Sequence, residues 1–345
     1  MTRGRLWKRS LVVALLSLLP VIASGCAVIG GSPQSVNRPA GDSMRKIWDL
    51  FVPIFWLSVL VFVLVTAILL FALWRFRRRP GEDRRPEQLH GNTRLEIAWT
   101  MVPAIILAII AVPTLSLMFE LDRDPGPDAL TVRVIGHQWW WEFQYPEYNV
   151  VTANELHVVV DRPVRLEMDS EDVIHSFWIP RLAGKRDVIP GWNNVLSFTP
   201  EEVGTFPGQC AEFCGIQHAN MKFQVIVQTQ EEFDAWIRQQ QQPAAEVPAD
   251  PLAARGRELF LTPANACIGC HAVAGTDAKG QVGPNLTHVG SRGIIAGGVL
   301  ENTPENLAQW LRNPQAVKPG NKMVLPRQLT DEEIDALVAY LMSLQ

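Results

Sequence analysis

The sequence carries almost no excess of charge of either sign: 31 Lys and Arg stand against 35 Asp and Glu, a formal net charge of −4 over 345 residues. So small an imbalance implies no nucleic-acid partner. No basic stripe interleaved with aromatics occurs outside the flanks of the apolar runs, which excludes nucleic-acid binding. Histidine is scarce, seven in all, and none falls within the long apolar runs 51–74 and 97–119, so those runs offer no imidazole to a buried redox site. Cysteine is scarcer still, at five, yet each of the five stands in a setting that suggests a use. What is abundant is apolar content, 48%, lifted by a few long runs rather than by an even spread. Part of the chain therefore belongs in lipid, and the remainder has room for two or three domains.

Arg3, Arg5, Lys8 and Arg9 precede the apolar run Leu11 to Ile22, followed by Ala23, Ser24 and Gly25. This is the layout of an export signal over residues 1–25, too short to span the roughly 30 Å hydrocarbon core. Ala-Ser-Gly-Cys26 resembles a bacterial lipobox with Ala23 in place of the usual Leu, so Cys26 is the expected lipidation site and the mature N-terminus. Residues 26–43 then form a short extracytoplasmic segment.

Phe51 to Trp74 and Ile97 to Phe119 are long enough to cross a bilayer at about 1.5 Å per residue, and they predict a transmembrane hairpin over 44–120. The loop 75–95 carries Arg75, Arg77, Arg78, Arg79, Arg84, Arg85 and Arg94 against Glu82, Asp83 and Glu87. That bias places the loop in the cytoplasm and both termini outside. Pro103 and Pro113 in the second helix suggest a packed neighbour.

From Leu130 the texture changes to short β-branched and aromatic segments. Residues 131–135, 155–160, 164–168, 194–198 and 222–228 read as strands of a β-sandwich spanning 129–237. The Pro- and Gln-rich stretch 238–250 reads as a linker. Residues 251–345 read as a small helical domain, with Pro304 opening one helix and the capping box Thr330 to Glu333 opening the last.

The chemistry concentrates in two motifs. The first is Cys210-Ala-Glu-Phe-Cys214-Gly-Ile-Gln-His218-Ala-Asn-Met221. Thiolate and thioether sulfur suit Cu(I), and imidazole suits both copper oxidation states, so Cys214, His218 and Met221 make a copper loop. Cys210 adds a second thiolate, enough sulfur for two coppers sharing two bridges. A second imidazole must come from elsewhere: His175 in Asp172-Val-Ile-His175-Ser-Phe-Trp is the choice, with His137 and His157 as competitors. A disulfide or half a zinc site would have little use for the spaced His and Met. The second motif, Cys267-Ile-Gly-Cys270-His271, places two thiols to bind haem vinyl groups covalently and an adjacent axial imidazole. For the sixth ligand Met323, in the loop Lys318-Pro-Gly-Asn-Lys-Met323, is preferred over Met342, which sits at a core position, and over His288.

With those residues in view, 44–236 resembles subunit II of the haem-copper cytochrome c oxidases. The likeness rests on the hairpin, on Gly136-His137-Gln138-Trp139-Trp140-Trp141, on Ser170 to Ser176 and on the copper loop. Residues 252–345 resemble a class I cytochrome c, a fusion known in some bacterial oxidases. The resemblance implies a multi-domain membrane protein: a two-helix transmembrane hairpin, an all-β cupredoxin sandwich and an all-α cytochrome c domain. It also implies a dinuclear copper A centre in which Cys210 and Cys214 bridge the coppers, His175 and His218 each bind one, Met221 is a weaker ligand and Glu212 contributes its backbone carbonyl. The Glu212 side chain would point to a magnesium or manganese ion shared with subunit I. Trp139 matches the aromatic through which electrons enter, and Glu96 matches a carboxylate near a proton channel. Trp192 departs from the family, many members of which carry Arg there.

The function so implied is that of the electron-accepting subunit of a terminal cytochrome c oxidase in the bacterial cytoplasmic membrane. An external cytochrome c or membrane reductase would reduce the haem c, and electrons would pass to copper and on to subunit I, where dioxygen becomes water with proton translocation. Subunits I and III are the implied partners, with the lipid bilayer. No residue of this chain is assigned oxygen chemistry. Quinol oxidase subunit II shares the hairpin and sandwich but lacks the copper ligands; other copper-dependent electron-transfer subunits, copper-delivery proteins and nitrous oxide reductase complete the alternatives.

Overall fold

The computed structural model describes residues 31–78, 81, 88, 90–244 and 250–345. The expected export signal and Cys26 lie outside the described residues, as do nine residues of the Arg-rich loop and five of the linker. The chain divides into two compact units, one of Arg45–Arg123 and one of Asp124–Gln345 with the segment up to Met44.

The first unit is helical. Helix α1 (Asp42–Arg75) and helix α2 (Thr93–Leu121) extend the two apolar runs at both ends. At 34 and 29 residues they are long and apolar enough to cross a membrane. Lys46 near the start of α1 pairs with Glu120 near the end of α2 at 2.9 Å, so the helices run antiparallel. Asn92 caps α2, its side chain accepting from the N–H groups of Arg94 and Leu95, while the Glu96 carboxylate accepts from the Asn92 N–H at 3.2 Å. That reciprocal bond gives Glu96 a helix-capping use.

The second unit opens with ten strands: β1 (Leu130–His137), β2 (Trp140–Tyr145), β3 (Val150–Ala153), β4 (Glu155–Val159), β5 (Val164–Ser170), β6 (His175–Trp178), β7 (Lys185–Val188), β8 (Asn194–Phe198), β9 (Gly204–Cys210) and β10 (Lys222–Gln228). They form two five-stranded sheets, ordered β3-β2-β1-β5-β8 and β4-β10-β9-β6-β7. Buried and half-buried residues alternate along β5 and β10, as a sheet with one face on the core requires. Trp141, Phe143, Phe177, Phe206 and Phe223 fill the space between the sheets, with Phe177 stacked on Phe223 at 4.2 Å. Each such ring contributes on the order of 1.5–3 kcal/mol by leaving water. Helix α3 (Gln230–Gln240), opened by a capping box of Thr229 and Glu232, closes the sandwich and continues three residues into the expected linker.

The helical domain follows: α4 (Pro251–Leu261), α5 (Cys267–Cys270), α6 (Pro304–Arg312), α7 (Pro314–Val317) and α8 (Asp331–Ser343), with a two-stranded ribbon of β11 (Ile294–Ile295) and β12 (Leu300–Glu301). The Thr330 to Glu333 capping box is present, and Ile334, Leu337 and Leu341 pack on Leu259 and Phe260 of α4.

Candidate copper and haem centres

Strands β9 and β10 are antiparallel neighbours, so residues 211–221 form the loop that joins them. The Cys210 N–H donates to the Met221 carbonyl at 3.0 Å and closes the loop at its base. Strand β6 flanks β9 with Phe177 opposite Cys210, which brings His175, at the head of β6, over the same end of the sandwich. Cys210 Sγ lies 3.8 Å from Cys214 Sγ and 3.9 Å from His175 Nδ1. Cys214 Sγ lies 3.8 Å from both His218 Nδ1 and Met221 Sδ. The Cys210 thiol donates to the Glu212 carbonyl at 3.2 Å. Donors sharing one tetrahedral ion at about 2.0–2.3 Å lie roughly 3.3–3.8 Å apart, so this set is spaced to grip metal. His175, Cys210, Cys214 and Met221 are all buried, and the mix of soft sulfur and imidazole suits copper.

The competing imidazoles go elsewhere. His137 stacks on Trp140 at 4.1 Å, and His157 stacks on Trp236 at 4.0 Å with its Nδ1 2.9 Å from the Gln228 side chain. His175 is oriented by a residue that the motif reading passed over. Its Nε2 donates to Asp172 Oδ1 at 2.9 Å, which leaves Nδ1 as the free lone pair facing Cys210. Burial works against a charge on His175, but the bonds to Asp172 and Cys210 outweigh it and raise its pKa. Burial would likewise raise the Asp172 carboxyl, yet His175, the Gln138 and Val173 N–H groups and Lys322 hold it well below the usual carboxylate range. Between the thiols, the bond with Cys214 pulls Cys210 down toward thiolate and pushes Cys214 up. Gly136 makes room for this arrangement, since a Cβ there would stand 2.8 Å from His175 Cδ2.

The three tryptophans separate by function of place. Trp141 is wholly buried core, its ring edge-on to Phe177 at 5.1 Å, and Trp140 covers His137. Trp139 turns to the copper loop, where its indole N–H donates to the Cys214 carbonyl at 3.0 Å beside the Gln138 amide at 2.8 Å. The Glu212 side chain is exposed.

In the helical domain Cys267, Cys270, His271 and Met323 line a cavity of about 1210 Å³ together with Phe260, Leu307 and Leu337. That exceeds the roughly 300–1,000 Å³ of ordinary ligand pockets and has room for a porphyrin. His271 Nδ1 donates to the Pro284 carbonyl at 2.8 Å, so its Nε2 keeps a lone pair for a metal. Burial lowers the His271 pKa and keeps the ring neutral, as ligation needs. His288 Nε2 instead meets the Gln242 carbonyl at 3.1 Å, and Met342 packs with the α4–α8 core. The donors present therefore fit a covalently held haem.

Comparison with known proteins agrees with this architecture. Residues 33–117 match the family described as cytochrome C oxidase subunit II, transmembrane domain; residues 149–229 match its periplasmic domain; residues 253–345 match cytochrome c. The chain is 40% identical to cytochrome c oxidase subunit 2 of Alkalihalophilus pseudofirmus over 99% of both chains. It is 39% identical to the protein of the same name from Bacillus sp. over 96% of both. It is also 34% identical to quinol oxidase subunit 2 of Bacillus subtilis, over 70% of this chain and 75% of that one. With two apolar helices, a cupredoxin-like sandwich bearing clustered cysteine, histidine and methionine, and a fused haem-binding domain, the chain belongs to the cytochrome c oxidase subunit II family, in its form with a C-terminal cytochrome c domain.

Proposed function

We propose that this chain accepts electrons from an external cytochrome c or membrane reductase through its own haem c and delivers them, through a dinuclear copper centre, to subunit I of a proton-translocating oxidase. The observation that carries the reading is the convergence of Cys210, Cys214, His175, His218 and Met221 on one end of the sandwich. When bound, copper and haem supply one-electron redox chemistry; the chain supplies the geometry.

Cys210 and Cys214 would hold the two coppers, with His175, His218 and Met221 as further ligands and the Glu212 carbonyl beside Cys210. Asp172 holds His175 in one tautomer, and rigid β9, β10 and β6 fix the rest, so the donor set changes little between oxidation states. Cys267 and Cys270 would hold a haem covalently, and His271 and Met323 would be the ligands to its iron. Trp139 links the haem cavity, which it lines, to the copper loop.

Phe213 of the copper loop is 74% exposed, and Trp192, in the turn after the strand that pairs with β6, is 66% exposed. Large apolar side chains left in water on this scale mark a partner surface, and subunit I is the partner assigned to it. The exposed Glu212 side chain is available for a magnesium or manganese ion shared with that subunit. Glu96 stands at the cytoplasmic start of α2, near the mouth of a proton channel, and subunit III completes the assembly. Copper and haem domains lie on the extracytoplasmic side of a bacterial membrane, with Cys26 as lipid anchor.

The convergent donor set favours this reading over a quinol oxidase-like subunit. The purified chain is expected to show a c-type haem spectrum, near-infrared copper absorption and about two coppers per haem. A loaded chain whose elemental analysis gives no copper overturns the reading.

A further inference from the structure

A Pro- and Gln-rich linker of this kind permits many poses of the domain that follows it. The cytochrome domain nevertheless meets the copper domain along a seam with charge in its interior. Lys318 is 3% exposed. Its ammonium donates to the Trp139 carbonyl at 2.7 Å, the Asn220 carbonyl at 2.9 Å and the Ala296 carbonyl at 3.1 Å. Two of these acceptors belong to the copper domain and one to the cytochrome domain, and together they use all three of its donors.

The rest of the seam is built in the same manner. Glu155 on β4, 4% exposed, accepts from the Gly293 and Ile294 N–H groups at 2.6 and 3.0 Å. The Lys222 N–H donates to the Gly297 carbonyl at 3.0 Å, and the Gln217 amide to the Pro319 carbonyl at 2.6 Å. At the rim Lys322 pairs with Asp172 at 3.1 Å. Gly297 has φ +70°, and a Cβ there would stand 2.5 Å from Lys318 Nζ and 2.6 Å from the Trp139 carbonyl oxygen, so the seam admits no side chain at that point.

A charge taken out of water is costly unless its hydrogen bonds are replaced. Burial lowers the Lys318 pKa to about 7, but an amino group held by carbonyls from both sides still selects one register, because any slipped pose strands its donors. The covalent tether makes docking intramolecular, so a modest seam is sufficient.

We propose that Lys318 is a positioning residue that latches the haem domain in one fixed pose on the copper domain, so that electrons cross a standing interface instead of waiting on a tethered search. The proposal rests on the two-centre carrier reading above. It differs from that reading in what it requires of the seam whether or not electrons flow.

The test uses the full chain, loaded with haem and copper, in detergent. Amide hydrogen exchange is followed at Lys222, Gly293 and Ile294, whose N–H groups cross the seam, with Val225 and Val227 inside β10 as controls for folding. Haem-to-copper transfer after photoreduction is timed as glycerol is added. In the wild type the seam amides are protected and the transfer rate ignores viscosity. In Lys318→Met, seam protection is expected to fall roughly tenfold or more with the controls unchanged. Transfer is expected to slow by about the same factor and to follow viscosity. Gly297→Ala, which breaks the seam from the other side, is expected to do the same and serves if Lys318→Met does not fold. Wild-type seam amides that exchange as freely as a loop, or seam variants whose transfer keeps its rate and its indifference to glycerol, overturn the latch. Protected seam amides without any haem-to-copper transfer overturn the carrier reading instead.

Discussion

The indole N–H of Trp139 donates to the carbonyl of Cys214 across 3.0 Å, so the aromatic that lines the haem cavity is bonded to the backbone of a candidate copper ligand. Trp139→Phe keeps an aromatic ring, though a smaller one, and removes that donor. We expect copper content and the near-infrared band to persist while haem-to-copper transfer slows by roughly fivefold, the equivalent of about 1 kcal/mol for one lost hydrogen bond. A rate within twofold of wild type in flash photolysis would remove Trp139 from the path.

Asp172 fixes the tautomer of His175 through a 2.9 Å bond. Asp172→Asn weakens that acceptor, and loss of such an orienting partner typically costs about 10–100-fold in metal affinity. Titration against a copper chelator should show the loss, with haem content unchanged.

Gly136 leaves no space beneath the His175 ring, where an added Cβ would approach Cδ2 to 2.8 Å. Gly136→Ala must displace the imidazole or the β1 backbone, a strain of about 1–3 kcal/mol. The expected outcome is a folded chain with a weakened near-infrared copper band. An unaltered band would mean that His175 is not a ligand.

In the haem domain Met323 lines the cavity and His288 does not. Met323→Leu should change the reduced haem spectrum and lower the potential, whereas His288→Ala should leave both in place. The opposite pattern would assign bis-histidine ligation.

Burial lowers the pKa of His157 to about 4, although its bond to Gln228 raises it in part. Above about pH 6.5 the ring is neutral in folded and unfolded chains alike. Between about pH 6.5 and 4 only the unfolded chain takes up the proton, so stability present above that window is lost as the pH falls through it, by on the order of 3 kcal/mol. Exchange of the β4 and β10 amides should quicken accordingly on acidification, and His157→Gln should flatten the slope.

How much of this was legible in the sequence depended on whether neighbours along the chain were also neighbours in space. The Cys210 to Met221 loop and the Cys267 to His271 motif carry their candidate donors within a dozen residues, so spacing alone pointed to them. His175 stood out because Phe177 and Trp178 follow it closely, but the ring that the structure sets against its imidazole is the distant Trp141, at 5.8 Å. Strand β9 was not: Gly204, Pro207 and Gly208 depress its propensity, and only pairing with β10 and β6 makes it a strand. The four residues of β7 are mostly polar because it is an edge strand, paired on one side. Lys318, between Val317 and Pro319 in a loop, reads as a solvated cation. Its burial arises from contacts with residues about 100 and 180 positions away, which no local pattern encodes.

The carbonyl of Asn220 and the N–H of Lys222, the residues on either side of Met221, both bond across to the cytochrome domain. Both flanks of Met221 are thus braced by the cytochrome domain. Loosening that domain would therefore unfasten the main chain before and after the methionine in a single step, so a disturbance on one side of the molecule is felt in the loop on the other.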